Sequence, residues 1–155
     1  MNASQTFVLL KPDAFERQLV NDILSYIQDQ GFRLVKQQEV FASAPTIVHH
    51  YDEVIKRIGA KTFKPKVLAE FVAKPVLAVV FEHPEDDAVT RMRTLIGATD
   101  PLLAKKDTIR GRFGIDSLTQ ARQENRMLRN LIHASETPQD VVRETDLWFF
   151  NNTPR

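Results

Sequence analysis

The chain has 155 residues, 21 basic and 20 acidic, four histidines and a net charge of +1. That balance gives no global attraction for nucleic acid or an anionic membrane surface, so any anion site has to be built locally. The lack of cysteine excludes disulfides, thiolate metal sites and a cysteine nucleophile, and it fits a reducing, cytoplasmic setting.

With 43% hydrophobic and 26% charged residues, 1–155 reads as a single globular domain. No apolar run approaches the ~18 residues of a membrane span. The opening Met-Asn-Ala-Ser-Gln has neither a basic nor a long apolar segment, so no signal peptide is expected.

In chain order, residues 6–10 are β-rich and end at Lys11-Pro12-Asp13, a strand followed by a helix start. Residues 14–30 carry apolar side chains at helical spacing, and Gly31 closes that helix. A second strand is expected over 32–41, a helix over 44–58 and a short amphipathic helix over 66–73. Residues 75–82 are the most strand-like run, apolar on both faces and therefore central. Pro84 opens a helix through 95, with Glu85, Asp86 and Asp87 in its first turn. Residues 99–114 read as a long loop, a length that is usually functional. Residues 117–129 are polar and helix-permissive, and 131 leads into a strand-like segment around His133. Thr137-Pro138 marks the N-terminus of a last helix, with Thr137 or Glu136 near its cap. The order indicates an α+β fold, helices covering a mostly antiparallel sheet.

The stretch Asn130-Leu131-Ile132-His133-Ala134-Ser135-Glu136 carries the most chemical information. An acid, Glu144, follows 11 positions after the histidine, and Thr108-Ile109-Arg110-Gly111 supplies fixed positive charge. A phosphate-carrying histidine needs these parts: a nucleophilic nitrogen, an orienting acid and nearby cations. Taken alone, His133 reads equally as a satisfied core histidine. The five glycines form neither a P-loop nor a Rossmann cradle, so a phosphate site must use side chains. Lys11, at a strand end, is the first candidate; Arg91, Arg93, Lys105, Lys106, Arg110 and Arg112 complete the stock. His49-His50 lacks metal-ligand spacing, and Asp86-Asp87 suit a helix dipole better than Mg²⁺.

Together these segments resemble the nucleoside diphosphate kinase family over about residues 5–150. Lys11-Pro12-Asp13 looks like its K-P-D, and His50-Tyr51 like its H-Y pair. Arg93 to Pro101 is similar to R-x-x-x-G-x-T-[ND]-P, and Thr108-Ile109-Arg110-Gly111 to T-I-R-G. The His133 segment is similar to N-x-[IV]-H-[GA]-S-[DE], and Glu144 with Leu147-Trp148-Phe149 to E-x-x-L-W-F. The resemblance implies a ferredoxin-like α+β sandwich. It implies ping-pong transfer of a γ-phosphate between nucleoside tri- and diphosphates through a phosphohistidine, with the upkeep of (d)NTP pools as the role. On it, His133 is the nucleophile, Glu144 holds its other ring nitrogen, and Lys11 neutralises the phosphoryl group beside Tyr51. Arg93, Thr99 and Arg110 would hold distal phosphates and Asn130 the sugar. Phe63 would stack on the base with Val67 as apolar neighbour, and Ser135 would support the site. Mg²⁺ would be held mainly by nucleotide phosphates. A homo-oligomer, tetramer or hexamer, is implied; only seven residues follow Trp148, a tail like that of bacterial members.

The chain departs from the family pattern at several points. Ala14 and Gln18 replace glycines, Ala134 stands where glycine is commoner, and Arg112 replaces an acid and adds charge near the phosphates. A few residues are inserted between Tyr51 and Phe63. The largest departure is an insertion at about 116–129, read either as a solvent-exposed excursion or as a lid or subunit contact. A binding or regulatory protein on the same fold, silenced by this insertion, is the rival reading. Nucleic-acid binding is a weak third at this net charge.

Overall fold

The computed structural model describes residues 4–150. The first residues of the N-terminal segment read above and the end of the tail after Trp148 lie outside the described residues.

Strand β1, Ser4–Leu10, has four consecutive apolar residues, Phe7 to Leu10, each wholly buried. Successive strand side chains point to opposite faces, so such a run is satisfied only in a sheet interior covered on both sides. The sheet is built that way. Strands β2 (Arg33–Phe41), β3 (Pro75–His83) and β4 (Ile132–Ala134) complete the order β2-β3-β1-β4, and every neighbouring pair is antiparallel. Val8 and Leu10 pack on one face with Ile23 and Ile27 of a helix over Val20–Asp29 and Met92 and Ile96 of a helix over Ala88–Ile96. Phe7 and Leu9 pack on the other face with Ile47, Phe71 and Trp148. Each such side chain contributes about 1.5–3 kcal/mol on burial. The expected α+β architecture, with 75–82 central, is the one observed.

The helices are α1 Pro12–Glu16, α2 Val20–Asp29, α3 Ala44–His50, α4 Asp52–Ile58, α5 Ala60–Phe71, α6 Ala88–Ile96, α7 Ile109–Phe113, α8 Leu118–Gln123 and α9 Pro138–Phe150. Several differ from the sequence expectation. The helix expected over 14–30 is two helices, because Gln18 adopts φ 57°. Leu19 N–H donates to Ala14 O and Gln18 N–H to Phe15 O, the bonding of a Schellman turn with glutamine in the position that favours glycine. The helix over 44–58 breaks at Tyr51, whose ring turns inward and is buried. Helix α5 starts at Ala60, six residues earlier than expected; Pro65 reads as a helix start but sits in the second turn. Helix α6 starts only at Ala88, after Asp87 at φ 66°, so Glu85 and Asp86 lie before it rather than in its first turn. The loop over 99–114 contains a 3₁₀ turn, Pro101–Leu103, and α7. Thr137 caps α9, its hydroxyl accepting the Asp140 N–H at 3.1 Å.

Gln18 is exposed and pays for a left-handed backbone without side-chain contacts. Gln18→Gly removes that strain and adds unfolded-chain entropy, a net gain of about 0.5–1 kcal/mol. A urea titration should show a higher midpoint at unchanged slope; an unchanged or lower midpoint contradicts the account.

Candidate active site

The site grows from the end of β1. Leu9 pairs with His133 and Leu10 with Ile132, and Lys11 N–H then donates to Leu131 O at 2.8 Å. This short ladder sets Lys11 and His133 beside each other although 122 positions separate them (133 − 11). Leu131 holds φ 75°, an unfavourable conformation for a leucine. It is fixed by its own carbonyl bond to Lys11 and by its N–H, which donates to Asp13 Oδ2 at 3.1 Å. Ala134, in contrast, lies within β4 and is not among the positive-φ residues, so replacing glycine there carries no backbone strain.

His133 shares the face of Leu9 with α3 and α9. Its Nε2 lies 2.9 Å from both carboxylate oxygens of Glu144. The acceptor carboxylate fixes the proton on Nε2 and leaves the lone pair on Nδ1, which has no hydrogen-bond partner among the described residues. Glu144 also accepts the Ser135 hydroxyl at 2.6 Å and Arg143 Nη2 at 3.3 Å. His50, given no role by the sequence reading beyond the H-Y pair, stacks edge-on against His133 with ring centroids 4.4 Å apart. Trp148 Nε1 donates to His50 Nδ1 at 3.0 Å. The run of apolar residues at helical spacing before His50 could have shown that it faces inward.

The cations are held by backbone carbonyls rather than acids. Arg110 donates to the carbonyls of Gly97, Asn130 and Ile132 at 3.2, 3.3 and 2.6 Å. Gly97 is required there: it holds φ 92°, and a Cβ would meet Thr108 Oγ1 at 2.4 Å. Arg93 Nη1 donates to Ala134 O at 3.1 Å. Lys11 Nζ donates to Asn130 Oδ1 at 2.6 Å, and Asn130 Nδ2 to Thr99 O at 2.9 Å. Burial and then the charge of Arg110 lower the Lys11 ammonium to about 7. Burial, then Lys11, Arg110, Arg93 and Arg143, hold His133 well below the usual histidine range. The imidazole is therefore neutral at neutral pH.

These groups open onto one cleft of about 380 Å³. Lys11, Tyr51, Phe63, Arg93, Thr99, Arg110, Asn130 and His133 all line it, and Glu144 and Ser135 lie buried beneath. Val67 does not line it; it is wholly buried in the core cluster under the cleft, because α5 turns that position toward the sheet. Arg112 does not line it either, its guanidinium lying 5.1 Å from the Tyr26 ring centroid and 5.7 Å from that of Phe113, so the expected charge near the phosphates is absent. The insertion is not a detached excursion: Leu118, Ala121 and Arg122 form one wall of the cleft.

Among the described residues, His50, His133 and Glu144 are the group whose ligand atoms come within 4.8 Å of one another. The nitrogen–carboxylate separation of 2.9 Å is that of a hydrogen bond, and Lys11, Arg110, Arg93 and Arg143 oppose a cation there. The arrangement suits an anion, with a neutral nitrogen nucleophile at the floor.

The nucleoside diphosphate kinase family model matches residues 4–153. The nucleoside diphosphate kinase of Saccharomyces cerevisiae is 37% identical over 145 residues, 94% of this chain and 84% of that protein. That of Eremothecium gossypii is 36% identical over 149 residues, 96% and 88% of the two chains. Among solved structures, the transition state mimic of the Borrelia burgdorferi enzyme with bound vanadate and ADP superposes with TM-score 0.86 at 28% identity, covering 98% of this chain and 90% of that one. The NDP kinase of Pyrobaculum aerophilum superposes with TM-score 0.84 at 28% identity, covering 96% of each. The chain therefore belongs to the nucleoside diphosphate kinase family and transfers the terminal phosphate of a nucleoside triphosphate to a nucleoside diphosphate.

Proposed function

We propose that the transfer runs in two halves through a phosphohistidine on His133. The observation that carries this reading is the pairing of His133 Nε2 with Glu144 at 2.9 Å, which leaves a lone pair on Nδ1 at a cationic cleft floor. Nδ1 attacks the γ-phosphorus as the bond from that phosphorus to the β–γ bridging oxygen breaks, and the diphosphate leaves with the electron pair. Attachment at Nδ1 makes the ring cationic, and the Glu144 carboxylate stabilises that charge. A second diphosphate then takes the phosphoryl group by the reverse step.

Lys11, Arg93 and Arg110 stabilise charge on the phosphates, with Thr99 close by; Asn130 orders Lys11 and contacts the sugar, and Phe63 stacks on the base. Buried charged donors of this kind act most strongly where water is excluded. Mg²⁺ arrives on the nucleotide and supplies further charge neutralisation. The cleft lining contains one carboxylate, Glu136, 3.9 Å from Arg93, so phosphate oxygens would hold the ion. The insertion borders the cleft without filling it, which favours catalysis over a silenced, regulatory role.

The chain works as one kinase domain in the cytoplasm and as a homo-oligomer, tetramer or hexamer. No helix among the described residues is long and apolar enough to cross a membrane. Strand β2 supports assembly: it pairs only with β3, its nine residues are mostly exposed, and Phe41 is 59% exposed. A long unpaired edge with an exposed aromatic is a ready template for a second copy.

Intact-protein mass after mixing with Mg-ATP should rise by one phosphoryl group, and GDP should remove it. His133→Ala should show no gain; labelling of that variant overturns the assignment. Lys11 supplies a pH signature. In the free protein its pKa is about 7, and anionic phosphates raise it, so the bound state holds more protons above pH 7 and the same number well below it. ADP binding measured by calorimetry in buffers of different ionisation heat should take up close to one proton at about pH 8 and none at about pH 6. Absence of uptake at the higher pH removes Lys11 as the phosphate's partner. Light scattering should give four or six times the 17.8 kDa chain mass; a monomer overturns the assembly reading.

A further inference from the structure

The insertion brings into the cleft a residue with no counterpart among those that serve the phosphates. In α8, Leu118, Ala121 and Arg122 stand at i, i+3 and i+4, one helical face, and all three line the cleft. The segment is held firmly. Asp116 accepts Arg126 Nη1 at 2.7 Å and Nη2 at 2.9 Å, a bidentate clamp, together with Arg129 N–H at 2.8 Å. Leu118 N–H donates to Asp100 Oδ2 at 3.3 Å, and Ala121 and Met127 are buried. Arg122 is thus presented by a braced helix.

The cations of the cleft fall into two groups. Lys11 and Arg110 are buried at the floor, and Arg93 and Arg126 have bonded partners. Arg57, Lys66 and Arg122 have no ion pair or hydrogen bond with a described residue. Arg57 and Arg122 are exposed, at the mouth, where Phe63 and Leu118 supply apolar walls. With the phosphates at the floor, the base occupies this mouth. Its side-chain polar groups there are all donors, whereas the cleft's carboxylate, Glu136, belongs with Arg93.

We propose that Arg122 reads the base edge and gives this enzyme a preference for keto bases, guanine above all. Guanine presents two adjacent acceptors, O6 and N7, which match the two-pronged guanidinium; uracil and thymine present O4. Adenine and cytosine present an amino donor at the corresponding position and meet a donor with a donor. Stacking on Phe63 accepts any base, so discrimination falls to the edge.

The inference rests on the proposed phosphate-inward pose, and binding separates the two. Calorimetry with GDP, IDP and ADP needs no phosphoryl transfer, so a chain that fails to become phosphorylated on His133 would sink that reading and still answer this one. Wild type should bind GDP about tenfold more tightly than ADP, the size of one modest bidentate contact. IDP, which keeps O6 and N7 and lacks the 2-amino group, should match GDP. Arg122→Met keeps the apolar stem and should bring the GDP-to-ADP ratio close to one, and Arg122→Lys should leave it intermediate. Equal affinity of wild type for GDP and ADP, IDP binding like ADP, or a preference that survives Arg122→Met each overturns the proposal.

Discussion

Three residue pairs between the end of β1 and β4 hold the site together. Val8, Leu9 and Leu10 pair with Ala134, His133 and Ile132, and the ladder continues into the Lys11–Leu131 bond. Side-chain direction alternates along a strand, so this register alone sends His133 to the α9 face, where Glu144 waits, and Ile132 and Ala134 to the other core. A slip of one residue would bury Ile132 against Glu144 and turn the histidine away. The strained Leu131 is the cost of ending the strand there, and Asp13 from the K-P-D turn helps to hold it.

The same burial governs the charges. Lys11 and Arg110 are almost fully desolvated, and burial lowers both pKa values, Arg110 to about 10. Backbone carbonyls satisfy the guanidinium without cancelling its charge, so the field remains available to an incoming phosphate. That field keeps His133 unprotonated and therefore nucleophilic. Glu144 is kept from collapsing onto these cations by its bonds to His133 and Ser135.

On this floor the insertion adds a wall. Its internal bonds, Ser117 Oγ capping Gln120 N–H and the Asp116–Arg126 clamp, make it a braced unit that meets the core through Ala121 and Met127. The Asn125 turn, at φ 52°, brings the chain back toward Asn130 so that the nucleophile's strand keeps its register.

The sequence by itself determined the strands around Phe7–Leu10 and 75–82, the Lys11, Arg110 and His133 motifs, and the acid at Glu144. These are runs of adjacent residues whose pattern or chemistry is legible without neighbours. It did not show the break at Gln18, because the usual glycine signal is missing there, nor the late start of α6 after a left-handed Asp87. Only the tertiary structure decided that Val67 packs beneath the cleft, that Arg112 lies over Tyr26, that His50 abuts His133 and that Arg122 lines the mouth. Each of these depends on which way a helix is rotated against the sheet, and that angle is set by core packing among residues far apart in the chain.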